Sequence, residues 1–192
     1  MMEKTTFDLI VVGVGGQGTL LASKILGQLA IEAGWGVKLS EVHGMSQRGG
    51  SVVTHVRLGN EIHAPLVSEG EADFLLGFEA LEAARAAVFV KPGGTAIMNT
   101  QRILPMPVIT GTAVYPEDPQ QWLSGCKIKA VDALAMAIEA GNAKAVNLVL
   151  LGILSQYLPF PKETWIEAIK TCVPPKILQV NLDAFEKGCM SA

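Results

Sequence analysis

The sequence predicts an α/β fold: a Rossmann-like, mostly parallel sheet, with a β-hairpin inserted after the second strand and a helical segment from about residue 145 onward. Three observations predict it. Phe7 to Val12 is a nearly unbroken apolar run, as a strand covered on both faces requires, and it leads through Gly13-Val14-Gly15-Gly16-Gln17-Gly18 into apolar residues at helical spacing, Leu21, Ile25, Leu29 and Ala33. Strand-like runs then recur at Ala72 to Phe78, Thr95 to Met98 and Lys127 to Val131, with helical stretches at 79–88 and 132–140. From Ala145 the apolar spacing is helical throughout.

Each element follows in order. Gly34 stops the first helix, and Val37 to Val42 forms a second short strand. Residues 43–50 are a polar, glycine-rich loop. Ser51 to Leu58 alternates, with Val52, Thr54, Val56 and Leu58 on one face and Val53, His55 and Arg57 on the other, where His55 and Arg57 could make a polar partner surface or simply a solvated strand face. Gly59-Asn60 reads as a turn returning Glu61-Ile62-His63 as the hairpin partner, where a crossover helix would otherwise stand. Pro92-Gly93-Gly94 is a turn, 103–119 is irregular or extended, Asp132 caps a helix and Gly141 ends it. Val146 to Tyr157 is apolar nearly all round, so it is a buried or interface helix. Pro161 precedes a helix through Ile169, Pro174-Pro175 breaks it, and Leu182 to Lys187 is a last helix with Asn181 as cap and Gly188 as stop. No repeat or linker interrupts the chain, which reads as one domain over 1–192.

Composition narrows the function. Nearly half of the 192 residues are apolar, 17% are charged and the mean hydropathy is +0.36. That surplus fits either a large buried partner interface or an Ala- and Val-rich core. A net charge of −3 speaks against nucleic acid as a partner. No apolar run reaches the ~20 residues of a membrane span, and the N-terminus shows no signal-peptide pattern, so a cytoplasmic protein is expected. Cys126, Cys172 and Cys189 form no C-x-x-C, which leaves neither iron–sulfur nor zinc spacing nor a disulfide framework.

The candidate sites cluster at the expected carboxyl ends of the strands. Gly13, Gly15 and Gly18 satisfy G-x-G-x-x-G, with Gly16 as a further glycine, and Glu41 stands where a dinucleotide fold places its ribose-binding acid. A stand-alone dinucleotide-binding oxidoreductase is one reading; a tight strand-to-helix turn without a ligand is the other. Gln17, Glu41, His43, Glu79, Asn99 and Asp132 should lie on this edge, although Glu79, Asn99 and Asp132 equally suit the capping of helices and turns. Three histidines, His43, His55 and His63, lie close in sequence but lack metal-ligand spacing, so no metal site is expected. Met45, Ser46, Gln47 and Arg48 sit on the glycine-hinged loop, where Arg48 suits a carboxylate, a phosphate or a subunit contact. Ser46 near His43 has no acidic orienter, so a hydrolase is not indicated.

Two stretches carry a family resemblance. Val12 to Gly18 (Val-Gly-Val-Gly-Gly-Gln-Gly) and Ser40 to Val52 (Ser-Glu-Val-His-Gly-Met-Ser-Gln-Arg-Gly-Gly-Ser-Val) resemble the gamma-type domain of 2-oxoacid:ferredoxin oxidoreductases, and the second stretch is most similar to its indolepyruvate branch. Gly70 to Asp73, Phe78 to Glu82 and Asn181 to Gly188 extend the resemblance over essentially the whole chain. It implies a small subunit that binds no cofactor and is inactive alone. Thiamine diphosphate, Mg²⁺ and [4Fe-4S] clusters would belong to a large (alpha) subunit that decarboxylates an arylpyruvate oxidatively, reduces ferredoxin and forms an acyl-CoA. The 13–18 turn and 43–50 loop would face that subunit near its active site or the coenzyme A region, with Gln17, Glu41, His43, Met45, Ser46, Gln47 and Arg48 as contacts. The isolated chain could self-associate through the same surface. A purely structural scaffold is the remaining alternative.

Overall fold

The computed structural model describes residues 6–44 and 49–191. Among these residues six strands form a single sheet: β1 (Thr6–Val14), β2 (Gly36–His43), β3 (Ser51–Gly59), β4 (Ala72–Gly77), β5 (Val90–Asn99) and β6 (Lys127–Val131). Their order is β2-β3-β1-β4-β5-β6. The pairs β1–β4, β4–β5 and β5–β6 are parallel, and β3 is antiparallel to both neighbours. All strands but one thus point the same way, as the hydrophobic pattern predicts.

The hairpin is placed differently from the sequence expectation. β3 pairs with β1 on one side and β2 on the other, so both its edges are used and none is left for residues 61–63, which form no strand. The hairpin is β2–β3 itself, and the 44–50 segment joins its arms. Gly36 opposes Gly59, and a side chain at Gly36 would meet the Gly59 carbonyl at 2.5 Å.

Among the described residues, seven α-helices accompany the sheet: α1 (Thr19–Glu32), α2 (Ala80–Arg85), α3 (Met106–Ile109), α4 (Ala133–Glu139), α5 (Val146–Leu154), α6 (Lys162–Cys172) and α7 (Pro175–Met190). One face of the sheet, with Leu9, Val11, Val56, Leu58, Leu76 and Ile97, packs into a core shared with α1, α5, α6 and α7. The other face, with Ile10, Val12, Leu75, Ala96 and Met98, is covered by α2 and short 3₁₀ turns. The alternating side-chain directions of each strand produce this division. All nine residues of α5 are buried, so its all-round apolar surface is satisfied within the chain.

The C-terminal helix departs from expectation. A single helix, α7, begins at Pro175, which provides the fixed φ favoured at a first helical position, and runs through Asn181 and Gly188. Asn181 caps nothing: its amide donates to the Ile177 carbonyl at 2.7 Å within the helix. Gly188 stops nothing. It lets α7 cross α5 at backbone distance, since a Cβ there would lie 2.1 Å from the Val149 carbonyl oxygen, and one at Gly152 would lie 2.1 Å from that of Phe185. Gly93 and Gly94, read as a turn, lie inside β5, where the register against β4 shifts.

His55 and Arg57 do not form a free polar face. The His55 ring nitrogen accepts the Val67 amide at 3.2 Å and the ring stands edge-on to Phe89, centroids 5.5 Å apart. Arg57 grips both Asp8 oxygens, at 2.8 and 3.1 Å. Burial lowers the His55 pKa, so the fold favours the neutral ring.

Two outcomes follow from this packing. Gly152→Ala should cost about 1–3 kcal/mol in chemical denaturation, through forced separation of α5 and α7. Because the folded-state pKa of His55 lies below its unfolded value near 6.5, the unfolded chain binds the proton more readily, and stability falls as pH drops below that value. The wild type should therefore lose more stability than His55→Gln between about pH 7.5 and 5.5, as read by urea midpoints at each pH.

Candidate functional site at the carboxyl edge of the sheet

The glycine turn is built by backbone needs. Gly16 and Gly18 have φ values of +103° and +87°, which disfavour any side chain. Gly13 is there for room, since a Cβ would lie 2.9 Å from that of Phe78. Gly18 forms the N-cap of α1 and no side chain satisfies the first turn, so the amides at this 14-residue helix's start remain open to an acceptor.

The reversed direction of β3 brings the second motif alongside. Val14, the last residue of β1, pairs with Ser51, the first of β3. Beyond that pair the Gly15 amide donates to the Gly50 carbonyl at 2.8 Å, and the Gly49 amide to the Gly15 carbonyl at 3.4 Å. The end of the 43–50 loop is thereby stitched to the glycine turn. Met45, Ser46, Gln47 and Arg48 lie outside the described residues.

Amides and carboxylates knit the strand ends together. Gln17 accepts the Val14 amide at 2.8 Å and donates to the Phe78 carbonyl at 3.0 Å and to Gln101 Oε1 at 3.3 Å. Asn99, fully buried, donates to the same two oxygens and accepts the Ala133 amide at 3.1 Å at the start of α4. Asp132 caps α4 through Ala135. Glu79 caps α2 through the Glu82 amide and also accepts the Ile103 amide and the Tyr115 hydroxyl, the last at 2.6 Å. Burial and then the Glu79 hydrogen bond push the Tyr115 phenol well above its usual range, so it remains the donor. Glu82, also buried, accepts the Ser51 hydroxyl at 2.5 Å and is paired with Arg85. The capping reading thus holds for Glu79, Asn99 and Asp132, and Gln17 is a strut of the edge as well as a wall residue.

Beside the turn lies a cavity of about 580 Å³. Gly16, Gln17, Gly18 and Gln101 form one wall; Asn142 and Lys144 from the link between α4 and α5, Asn147 of α5 and Asn181 of α7 form the other, with Leu21, Ile103, Leu134, Val146 and Ile177 between them. Sequence reasoning missed Gln101, Lys144, Asn147 and Asn181. Only the asparagine inside the apolar run of α5 signalled a polar neighbour. In the fold the buried Asn147 amide reaches the Gly18 carbonyl, at 3.4 Å.

Glu41 and His43 sit apart from this cavity. Both are exposed on the outer strand β2, where Glu41 accepts the Thr54 hydroxyl at 3.4 Å and His43 contacts the Gly44 carbonyl. In a dinucleotide fold the second strand adjoins the first; here β3 intervenes, which moves Glu41 one strand, about 4.8 Å, further from the glycine turn. The ribose partner that a dinucleotide needs is therefore displaced. Among the described residues no three His, Cys, Asp or Glu side chains are grouped to hold a metal ion, and no helix is long and apolar enough to cross a membrane. Burial raises the Cys126 and Cys172 thiols, away from thiolate chemistry.

Residues 8–190 match the family model described as pyruvate ferredoxin/flavodoxin oxidoreductase. The chain belongs to this family. Indolepyruvate oxidoreductase subunit IorB of Thermococcus kodakarensis is 43% identical over 97% of this chain and 96% of its own length. The fold matches the keto/oxoacid ferredoxin oxidoreductase gamma subunit of Geobacter sulfurreducens, with TM-score 0.72, 23% identity and coverage of 97% and 98%. It also matches the 2-oxoglutarate:ferredoxin oxidoreductase of Magnetococcus marinus, solved with 2-oxoglutarate, coenzyme A and succinyl-CoA, with TM-score 0.75 and 21% identity. There the likeness covers 99% of this chain and 31% of that one. The chain is accordingly a small, gamma-type oxidoreductase subunit of the 2-oxoacid:ferredoxin class, as the motif resemblance implies.

Proposed function

We propose that the chain serves a large subunit in an indolepyruvate-type complex, in which the partner holds thiamine diphosphate, Mg²⁺ and [4Fe-4S] clusters. The partner decarboxylates an arylpyruvate and reduces ferredoxin, and this chain completes the acyl-CoA-forming site. The carrying observation is the backbone pairing of Gly15 with Gly49 and Gly50, which unites the two glycine motifs next to the cavity. The cavity has what the adenosine-diphosphate arm of coenzyme A would use: open helix N-terminal amides, five side-chain amides, one lysine and an apolar floor. Curated relatives named as indolepyruvate oxidoreductase subunits, more than 40% identical at nearly full length, favour the arylpyruvate. The chain's own part is to bind and orient the thiol carrier and to exclude water at the contact between subunits, through Gln17, the 43–50 loop and the cavity wall.

The reading has two direct checks in the reconstituted complex. Lys144→Ala should raise KM for coenzyme A roughly 5- to 20-fold, the loss of one charge-assisted contact, with little change in KM for the 2-oxoacid. An unchanged KM for coenzyme A would remove the cavity from the site. Arg48→Ala should lower turnover or coenzyme A dependence by about 10-fold or more while the complex still assembles. Unaltered turnover, coenzyme A dependence and assembly would remove the loop from the mechanism.

A further inference from the structure

The segment from Gln101 to Asp118 contains no buried residue, yet residues 103–116 carry no charge at all. Leu104, Met106, Ile109 and Val114 are open to solvent, Val114 at 90%. A soluble surface ordinarily mixes charge into such a stretch, and its depletion marks the dry centre of a protein–protein contact.

This arm is fixed in place rather than loose. Pro105 and Pro107 restrict its backbone, and the Thr112 and Ala113 amides both return to the Pro107 carbonyl, at 2.8 and 3.0 Å. Its base is clamped: Arg102 donates to the Glu117 carbonyl at 2.6 Å and lies over the Tyr115 ring, whose hydroxyl is held by Glu79. An exposed apolar segment held in one shape has already lost the entropy that docking would cost it.

We propose that residues 103–114 form a preorganised docking arm for an uncharged, apolar surface of the large subunit. The inference rests on the function proposed above. Gln101 and Ile103, at the arm's base, are walls of the cavity, so whatever closes over that cavity must also meet the arm. In the Magnetococcus marinus structure the likeness covers 31% of that chain, so the same fold occurs there as one part of a longer polypeptide. The arm is also joined to the glycine-hinged loop. Glu79 holds Tyr115 and Ile103, and Glu82, one helical turn on, holds Ser51 at the loop's end. Docking at the arm would thus bear on the loop through α2.

The test is the affinity of the full chain for the large subunit. The double variant Met106→Asp/Ile109→Asp, at exposed positions, should retain the wild-type thermal midpoint when isolated and bind the large subunit about 100-fold more weakly or worse. Ile31→Asp, on the exposed end of α1 at the opposite edge, should bind within about twofold of wild type. If the wild type binds and the double variant binds equally well, the arm is not the docking element, although the proposed function stands. If the double variant abolishes only self-association of the isolated chain, the occupant is a second copy and the proposal is overturned. If the wild type itself does not bind the large subunit, the proposed function fails, and this inference with it.

Discussion

The structure depends on one reversal of chain direction. β3 runs antiparallel between β1 and β2, and it does so with both its hydrogen-bonding edges occupied. Its first residue therefore lies beside the last residue of β1. A conventional crossover would have carried the 43–50 segment into a helix and placed β2 next to β1, with Glu41 near the glycine turn. The antiparallel strand instead returns the loop to the carboxyl edge, pins it to Gly15 by backbone hydrogen bonds, and sends Glu41 outward. The same short geometry moves Glu41 away from the glycine turn and sets the two glycine motifs side by side.

That edge is stiffened by polar groups buried where the strands end. Gln17 and Asn99 both donate to the Phe78 carbonyl and to Gln101 Oε1, tying β1, β4 and β5 to the start of α4. Glu79 and Glu82 tie two further segments to α2. Buried polar networks of this kind cost much if left half-satisfied and specify a single arrangement when complete. The carboxyl edge is for this reason held in place by side chains that need not touch a ligand.

Most of the fold was legible because it rests on periodicity. The apolar strands, the helix after the glycine turn, the Asp132 cap and the nearly all-apolar α5 were all readable from local residue order. What was not readable depends on contacts distant in sequence. Gly188 looks like a helix stop until it is seen against Gly152, 36 positions earlier, at a helix crossing. Asn181 looks like a cap until α7 is extended back to Pro175. His55 and Arg57 share a strand face as read, but whether that face is open depends on Val67, Phe89 and Asp8. The site was half legible: glycine spacing located the turn, and no local pattern could say that Lys144, Asn147 and Asn181 would close a cavity over it.

The central claim is that this chain works through the carboxyl edge of its sheet, lent to another subunit. Hydrogen–deuterium exchange of the chain alone and in the complex measures this amide by amide. The account predicts new protection at Gly15 to Gly18, Gly49 to Ser51 and Gln101 to Asp118, with no change near the Asp8–Arg57 and Asp73–Lys91 pairs at the other edge. Protection confined to that other edge would contradict it.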